Sequence, residues 1–228
     1  AMDGALLATI EANPSLSRQP FDAMLKGMRS DVDGSGALRY DAFRPELLEY
    51  CYNVAGTVGE MLLPILGLEG DQEVADSAIA LGQAVQLLNI VRDLETDLID
   101  RGRIYLPLED ASKFGLSEAA LEAAIRQGRP GPPALRRLVK LQARRAAMLL
   151  AKAETALPRM SAGQALLVGV IIELHQELYR SFAAREYDSL ARDGAGEQAS
   201  AEVDAQRVRV STTGKFAITV STASSILF

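Results

Sequence analysis

Residues 82–103 read GQAVQLLNIVRDLETDLIDRGR, and oxygen-bearing side chains recur in them at regular intervals. Gln86, Asn89, Asp93 and Asp97 stand at offsets 0, 3, 7 and 11. At about 3.6 residues per turn, those offsets share one face of a helix. Between them run Val85, Leu87, Leu88, Ile90, Val91 and Leu94, so a polar stripe is set into an apolar segment. Polar side chains facing a core cost free energy unless partnered, and carboxylates one turn apart repel each other. A divalent cation answers both problems. Mg²⁺ takes oxygen ligands, keeps several waters and is usually completed by substrate phosphates. The same spacing also fits the solvated face of an ordinary amphipathic helix, and spacing alone does not choose between the two.

The rest of the composition narrows the chemistry. His175 is the single histidine and Cys51 the single cysteine, so a metal must rely on oxygen donors, which favours Mg²⁺ or Ca²⁺ over Zn²⁺. No intrachain disulfide is possible, which is compatible with a reducing compartment. The net charge of −6 makes nucleic acid a poor partner. The run DVDGSGALRYDA (31–42) opens like a calcium loop, with Asp31, Asp33 and Gly36, but its twelfth position is Ala42 where such a loop needs Glu.

The elements that must carry the stripe are helices. Hydrophobic residues make up 48% and charged residues 24%, which is globular composition, and the apolar ones recur at helical spacing almost throughout. The periodicity predicts helices over about 3–12, 20–31, 43–65, 72–100, 117–127, 134–156 and 161–187, with 31–36 a loop. Ser117 is placed to cap one start, and Ser161 with Gln164 has capping-box spacing. Gly102 and Pro107 end the long stripe-bearing helix. The tail from Arg207 reads equally as helix or extended chain. Together these predict one all-α domain over 1–228, with the polar, small-residue stretch 191–206 a mobile loop. No run of 18 apolar residues suggests a membrane-spanning helix, and no leader is visible at the start, which fits the cytoplasm or an organelle interior.

The wording of two segments is more specific than their spacing. NIVRDLETDLIDRGRIYLP (89–107) closely resembles the second aspartate-rich motif of the squalene/phytoene synthase family, and YCYNVAGTVGEMLLPILG (50–67) resembles its tyrosine and valine-alanine-glycine signature. PFDAMLKGMRSDVD (20–33) and RVRVSTTGK (207–215) look like further family segments. The resemblance implies an isoprenoid synthase helical bundle around a central cavity. It implies head-to-head condensation of two prenyl diphosphates, with Mg²⁺ held by Asp93, Asp97 and Asn89. Gln86 would line the cavity, Tyr50 would stand near the departing diphosphate, and Arg92, Arg207 and Lys215 would hold diphosphate. Val54, Ala55 and Val58 would shape the prenyl channel. The product nearest the VAGTVG wording is phytoene, from two geranylgeranyl diphosphates through a cyclopropyl intermediate. Dehydrosqualene or squalene from farnesyl diphosphate is the alternative, and a non-catalytic assembly factor is another.

The sequence departs from the family pattern in three places. The family's first aspartate-rich motif is not found, which implies an N-terminally incomplete bundle that is inactive alone and leaves Tyr50, Val54, Val58 and Leu87 facing an open groove. Leu98, Ile99 and Asp100 put one extra residue between Asp97 and the RGR run, so a helix end or distortion is expected at 100–103 and the placement of Arg101 and Arg103 is open. His175 stands where the family has a cavity tyrosine and is expected to face substrate. A basic run, Arg136, Arg137, Lys140, Arg144 and Arg145, reads as a solvated helix face, with peripheral attraction to anionic lipid as the second reading.

Overall fold

A computed structural model describes residues 17–33, 37–128 and 130–190, together with the backbone of 208–210 and 218–220. The described residues form a helical bundle. Helix α1 (Gln19–Asp33) is followed by one helical run, Phe43–Ile65, in which π-helical turns at Phe43–Leu47 and Tyr52–Gly56 alternate with α2 (Leu48–Cys51) and α3 (Thr57–Ile65). Helix α4 (Gln72–Arg92) leads into α5 (Leu94–Arg101), and the short α6 (Leu108–Lys113) and α7 (Glu118–Arg126) come next. Helix α8 (Pro133–Glu154), a 3₁₀ turn (Leu157–Arg159) and α9 (Ala162–Ala184) complete the bundle. The expected helix at 3–12 and the loop at 191–206 lie outside the described residues. In the tail, β1 (Val208–Val210) and β2 (Ile218–Val220) pair antiparallel with Val208 opposite Val220, so these residues are extended.

Helix α4 is the axis. It starts at Asp71, whose side chain accepts from the amides of Glu73 and Val74. It packs against α8 along much of its length and against the run Tyr52–Ile65 on another side. Ala84, Leu87, Leu88, Ile90 and Val91 are each at most 1% exposed. A helix apolar on several sides is a core helix. By length and composition alone α4 could also cross a membrane, where the sequence reading expected no candidate, but a core helix passes the same test. Here α4 is packed on by α3, α8 and α9.

The expected single helix over 72–100 breaks at Asp93, whose φ of −99° and ψ of 15° leave the α-helical region. Its amide still bonds to the Asn89 carbonyl at 2.9 Å, and its carbonyl accepts from the Asp97 amide at 2.8 Å, so the chain bends without losing both ladder bonds. The helix end expected at 100–103 is present. Gly102 takes a left-handed φ of 67°, which costs glycine nothing, and the amides of Gly102 and Arg103 bond back to Leu98 and Asp97. The predicted caps also form: Ser117 accepts from the Ala120 amide, and Ser161 with Gln164 makes the capping box.

After Gly102 the chain is extended. Ile104 donates its amide to Ala37 and accepts from Arg39, tying 37–41 beside 104–109. Side chains in extended backbone alternate, so Ile104 and Leu106 turn into the core while Arg103 and Tyr105 share the other side. Helix α6, which periodicity did not predict, is held by Asp110. That carboxylate is fully buried and takes bonds from Arg145, Lys113 (2.7 Å) and Gln142 (2.9 Å).

Candidate functional site

The bend at Asp93 and the stop at Gly102 place the polar stripe beside the extended arm. A cavity of about 270 Å³ opens there. Gln86 and Asn89 of α4, the bend residue Asp93 and Asp97 of α5 form one wall. Arg101, Arg103 and Tyr105 come from the helix end and the arm, and Tyr50 and Asp31 close the opposite side. Tyr50, Gln86, Asn89, Asp93 and Asp97, all expected site residues, thus line one cavity.

Each acidic residue of the stripe already has a cationic partner. Arg92 grips Asp93 with both ends of its guanidinium, Nε to Oδ1 at 2.8 Å and Nη2 to Oδ2 at 2.7 Å. Arg101 pairs with Asp97 one helical turn away. Asp97 is 6% exposed, and burial raises its carboxyl above the usual carboxylate range. Arg101 opposes that rise and the nearby Asp93 adds to it. Arg92 is held more firmly protonated by its bond to Asp93. A buried carboxylate that lacks full compensation is a good ligand for a hard cation.

On the other side three aromatic rings pack together. Tyr50 and Tyr105 stack with centroids 5.2 Å apart, and Tyr40 lies 5.4 Å from Tyr50. The Tyr50 and Tyr105 hydroxyls both donate to Asp31, at 3.1 and 2.9 Å. Arg103 donates to the Asp31 carbonyl at 2.7 Å and to the Tyr105 oxygen at 3.2 Å. Burial first, then the neighbouring Tyr105 and Asp31, pushes the Tyr50 phenol well above its ordinary value.

Other expected site residues fall elsewhere. Val54 packs under α1, where a Cβ on Gly27 would lie 2.7 Å from its Cγ1. Ala55 turns its carbonyl against Gly82, and Val58 is 42% exposed at the surface. None of the three lines this cavity, because the VAGTVG segment spends its small residues on close helix contact. His175 does not line it either: its Nδ1 donates to the Ile171 carbonyl one turn earlier, at 2.7 Å. Arg207 and Lys215 lie outside the described residues. Of the four residues expected to face an open groove, Tyr50 and Leu87 are buried at 6% and 0% exposed, Val54 is half-buried and Val58 is exposed.

Asp31, Arg103 and Tyr105 were missed as site residues. The periodicity ends the helix at residue 31, on the boundary with the loop, whereas α1 runs on to Asp33 and puts Asp31 in its last turn. The signal for the other two was present: in RGRIYLP, charged or aromatic residues alternate with buried apolar ones, which is the period of an extended arm.

Asn89, Asp93 and Asp97 fit a Mg²⁺ site as one wall of it. Their donors are all oxygen, and Mg²⁺ accepts one or two carboxylates when phosphate oxygens and water complete its shell. Among the described residues no group of three His, Cys, Asp or Glu side chains comes together to hold a metal. In the basic run on α8, Arg137 and Arg144 are exposed as a solvated face requires, while Arg136, Lys140 and Arg145 are half-buried. Arg145 binds Asp110, Arg136 bonds the Gly131 carbonyl and Glu186, and Arg137 and Lys140 lie over the Phe114 and Tyr187 rings.

Comparison with known proteins agrees with this geometry. The family model described as squalene/phytoene synthase matches residues 2–213. The chain is 35% identical over 196 residues to phytoene synthase 1, chloroplastic, of Zea mays, covering 84% of this chain and 45% of that protein. It is 36% identical over 201 residues to 15-cis-phytoene synthase of Synechocystis sp., covering 83% and 56%. Among solved structures it resembles squalene synthase HpnC from Alicyclobacillus acidocaldarius, with a TM-score of 0.71, 25% identity, and coverage of 81% and 65%. A dehydrosqualene synthase in complex with ligand gives 0.67, 31%, 83% and 63%. The chain thus spans about half the length of the curated relatives it matches. The all-α isoprenoid synthase bundle, the aspartate wall on α4 and α5, and a match over nearly the whole chain lead to one assignment: the chain belongs to the squalene/phytoene synthase family.

Proposed function

We propose that this protein contributes the second aspartate wall of an enzyme that joins two prenyl diphosphates head to head. The observation that carries the reading is the meeting of Asn89, Asp93 and Asp97 with Arg92, Arg101 and Arg103 at one cavity mouth, beside Tyr50. Mg²⁺ bound by Asn89, Asp93 and Asp97 would supply positive charge that stabilises a departing diphosphate. The arginines pair with phosphate oxygens as readily as with carboxylates. Diphosphate binding therefore lets Arg92 and Arg101 exchange Asp93 and Asp97 for the substrate and frees both carboxylates. Loss of diphosphate leaves an allylic cation. The double bond of the second prenyl chain attacks it to give a tertiary cation, and loss of a proton from C1 of the first chain to the departed diphosphate closes the cyclopropane. Ile90 and the stacked tyrosines line this end of the cavity and limit the access of water to the cation. Gln86 lines the same cavity.

The substrate we favour is geranylgeranyl diphosphate and the product phytoene, supported by the names of the curated relatives. Farnesyl diphosphate and a squalene-type product are the alternative, supported by the names of the solved structures. We further propose that the 228-residue polypeptide alone turns nothing over, because two carboxylates make one wall and ionisation needs charge neutralised from more than one side. A non-catalytic assembly role is the second reading; Asp93, Asp97 and Asn89, present and grouped, weigh against it. Incubating the full gene product with Mg²⁺ and labelled geranylgeranyl or farnesyl diphosphate, and identifying the hydrocarbon, tests the choice. A C40 product supports phytoene, a C30 product the alternative, and binding without product the assembly role.

A further inference from the structure

The carboxylate of Asp31 is not part of the aspartate wall. Its Oδ2 accepts the Tyr50 hydroxyl at 3.1 Å and its Oδ1 the Tyr105 hydroxyl at 2.9 Å, so both oxygens are engaged by phenols. Arg103 fixes the acid from behind, with Nη2 on the Asp31 backbone carbonyl at 2.7 Å and Nη1 3.8 Å from Oδ1. A phenol has one proton and an oxygen with lone pairs. Where the proton is committed to Asp31, the negative end of the O–H dipole and the remaining lone pairs point away from it. Tyr105 gives part of its oxygen to the Arg103 guanidinium at 3.2 Å. The Tyr50 side chain bonds that of Tyr105, and Tyr50 lines the cavity. The two rings stack at an interplanar angle of 19°, which limits how either can turn.

We infer that Asp31 is a positioning residue that holds the Tyr50 hydroxyl with its oxygen, and not its proton, toward the cavity, where it stabilises the carbocation of the condensation. This rests on the condensation reading above. The physical logic is that of preorganised dipoles: groups already aimed at developing charge reorganise little as it forms. A Tyr50 hydroxyl free to rotate would instead present its O–H to a diphosphate oxygen, and would favour the substrate over the cation. Desolvation and the Asp31 anion both raise the Tyr50 phenol, so it keeps its proton through the neutral range. Burial is the larger cause for Tyr105 as well, and Asp31 again adds to the rise.

The test is Asp31→Asn in the full gene product. The variant has the same shape, but its amide must donate to one phenol and can accept from the other, so one hydroxyl is turned round. The expected result is a fall in kcat of about 100-fold with KM for prenyl diphosphate changed by less than about threefold. In the Tyr50→Phe background the same substitution should cost little further, because Asp31 acts through Tyr50. Independently of activity, ultraviolet titration should show the late-ionising tyrosines of the wild type ionising at lower pH in Asp31→Asn, since the anion that opposed phenolate is gone. An unchanged kcat in the folded variant, a loss confined to KM, full additivity with Tyr50→Phe, or an unmoved titration would each overturn the role. A wild type that makes no hydrocarbon overturns the condensation reading and this role with it. The titration still reports whether Asp31 holds the phenols, so the two failures are told apart.

Discussion

Gly82 of α4 meets the backbone of Ala55 so closely that a Cβ placed on it would lie 2.3 Å from the Ala55 carbonyl oxygen. One turn away the partnership is reversed, and a Cβ on Gly59 would lie 2.5 Å from the carbonyl oxygen of Ala78. The atoms in the way are backbone, so no side-chain rotation relieves the clash. Gly82→Ala and Gly59→Ala should each therefore push the two helices apart and destabilise the fold by at least about 1–3 kcal/mol. Urea unfolding measures this. Because α4 carries Gln86 and Asn89, metal-dependent activity should fall with stability in the same variants.

The buried acid of α6 gives a second prediction. Burial pushes the Asp110 carboxyl up, but Arg145, Lys113 and Gln142 together outweigh it and hold it below its ordinary value near 3.8. The folded state thus binds the proton less readily than the unfolded chain. The stabilisation is present above the ordinary carboxylate value and is lost as pH falls through the lowered one. Unfolding free energy should drop on acidification below about pH 4, and less steeply in Asp110→Asn. Asp110→Ala, which leaves Arg145 and Gln142 without their partner, should cost about 3–5 kcal/mol at neutral pH.

The guanidiniums at the mouth give a third. If Arg92 and Arg101 trade their aspartates for diphosphate, Arg101→Gln should weaken inorganic diphosphate binding by about tenfold or more in the presence of Mg²⁺, corresponding to loss of a charge-assisted bond. Isothermal calorimetry on the full gene product reads it directly. Unchanged affinity would mean that Arg101 serves only to neutralise Asp97.

Much of this was legible in the sequence, and the exceptions have physical causes. The aspartate face, the stop at Gly102 and the caps at Ser117 and Ser161 are local features, set by spacing and side-chain chemistry within a few residues. The bend at Asp93 is not local: residues 89–97 read as uninterrupted helix. Helix α6 is too short to show a period, and its anchor, Arg145, comes from α8. Gly34 and Gly36 suggest a loop from residue 31, whereas α1 continues to Asp33 and its last turn carries Asp31. Its partners Tyr50 and Tyr105 lie 19 and 74 residues along the chain, a separation no periodicity reports. For Val54 and Ala55 the motif was found, but its small residues serve helix packing at Gly27 and Gly82.

The most direct test of the aspartate wall compares the full gene product with its Asp93→Asn and Asp97→Asn variants. Each is incubated with labelled geranylgeranyl diphosphate over a range of Mg²⁺ concentrations, and hydrocarbon product and thermal unfolding are measured together. Asp97 is buried and its carboxyl is raised by that burial, so an uncharged replacement should not cost the fold. The wild type should give Mg²⁺-dependent hydrocarbon, and both variants should fall by at least about 100-fold with near-normal unfolding temperatures. Near-wild-type turnover by either variant would contradict it.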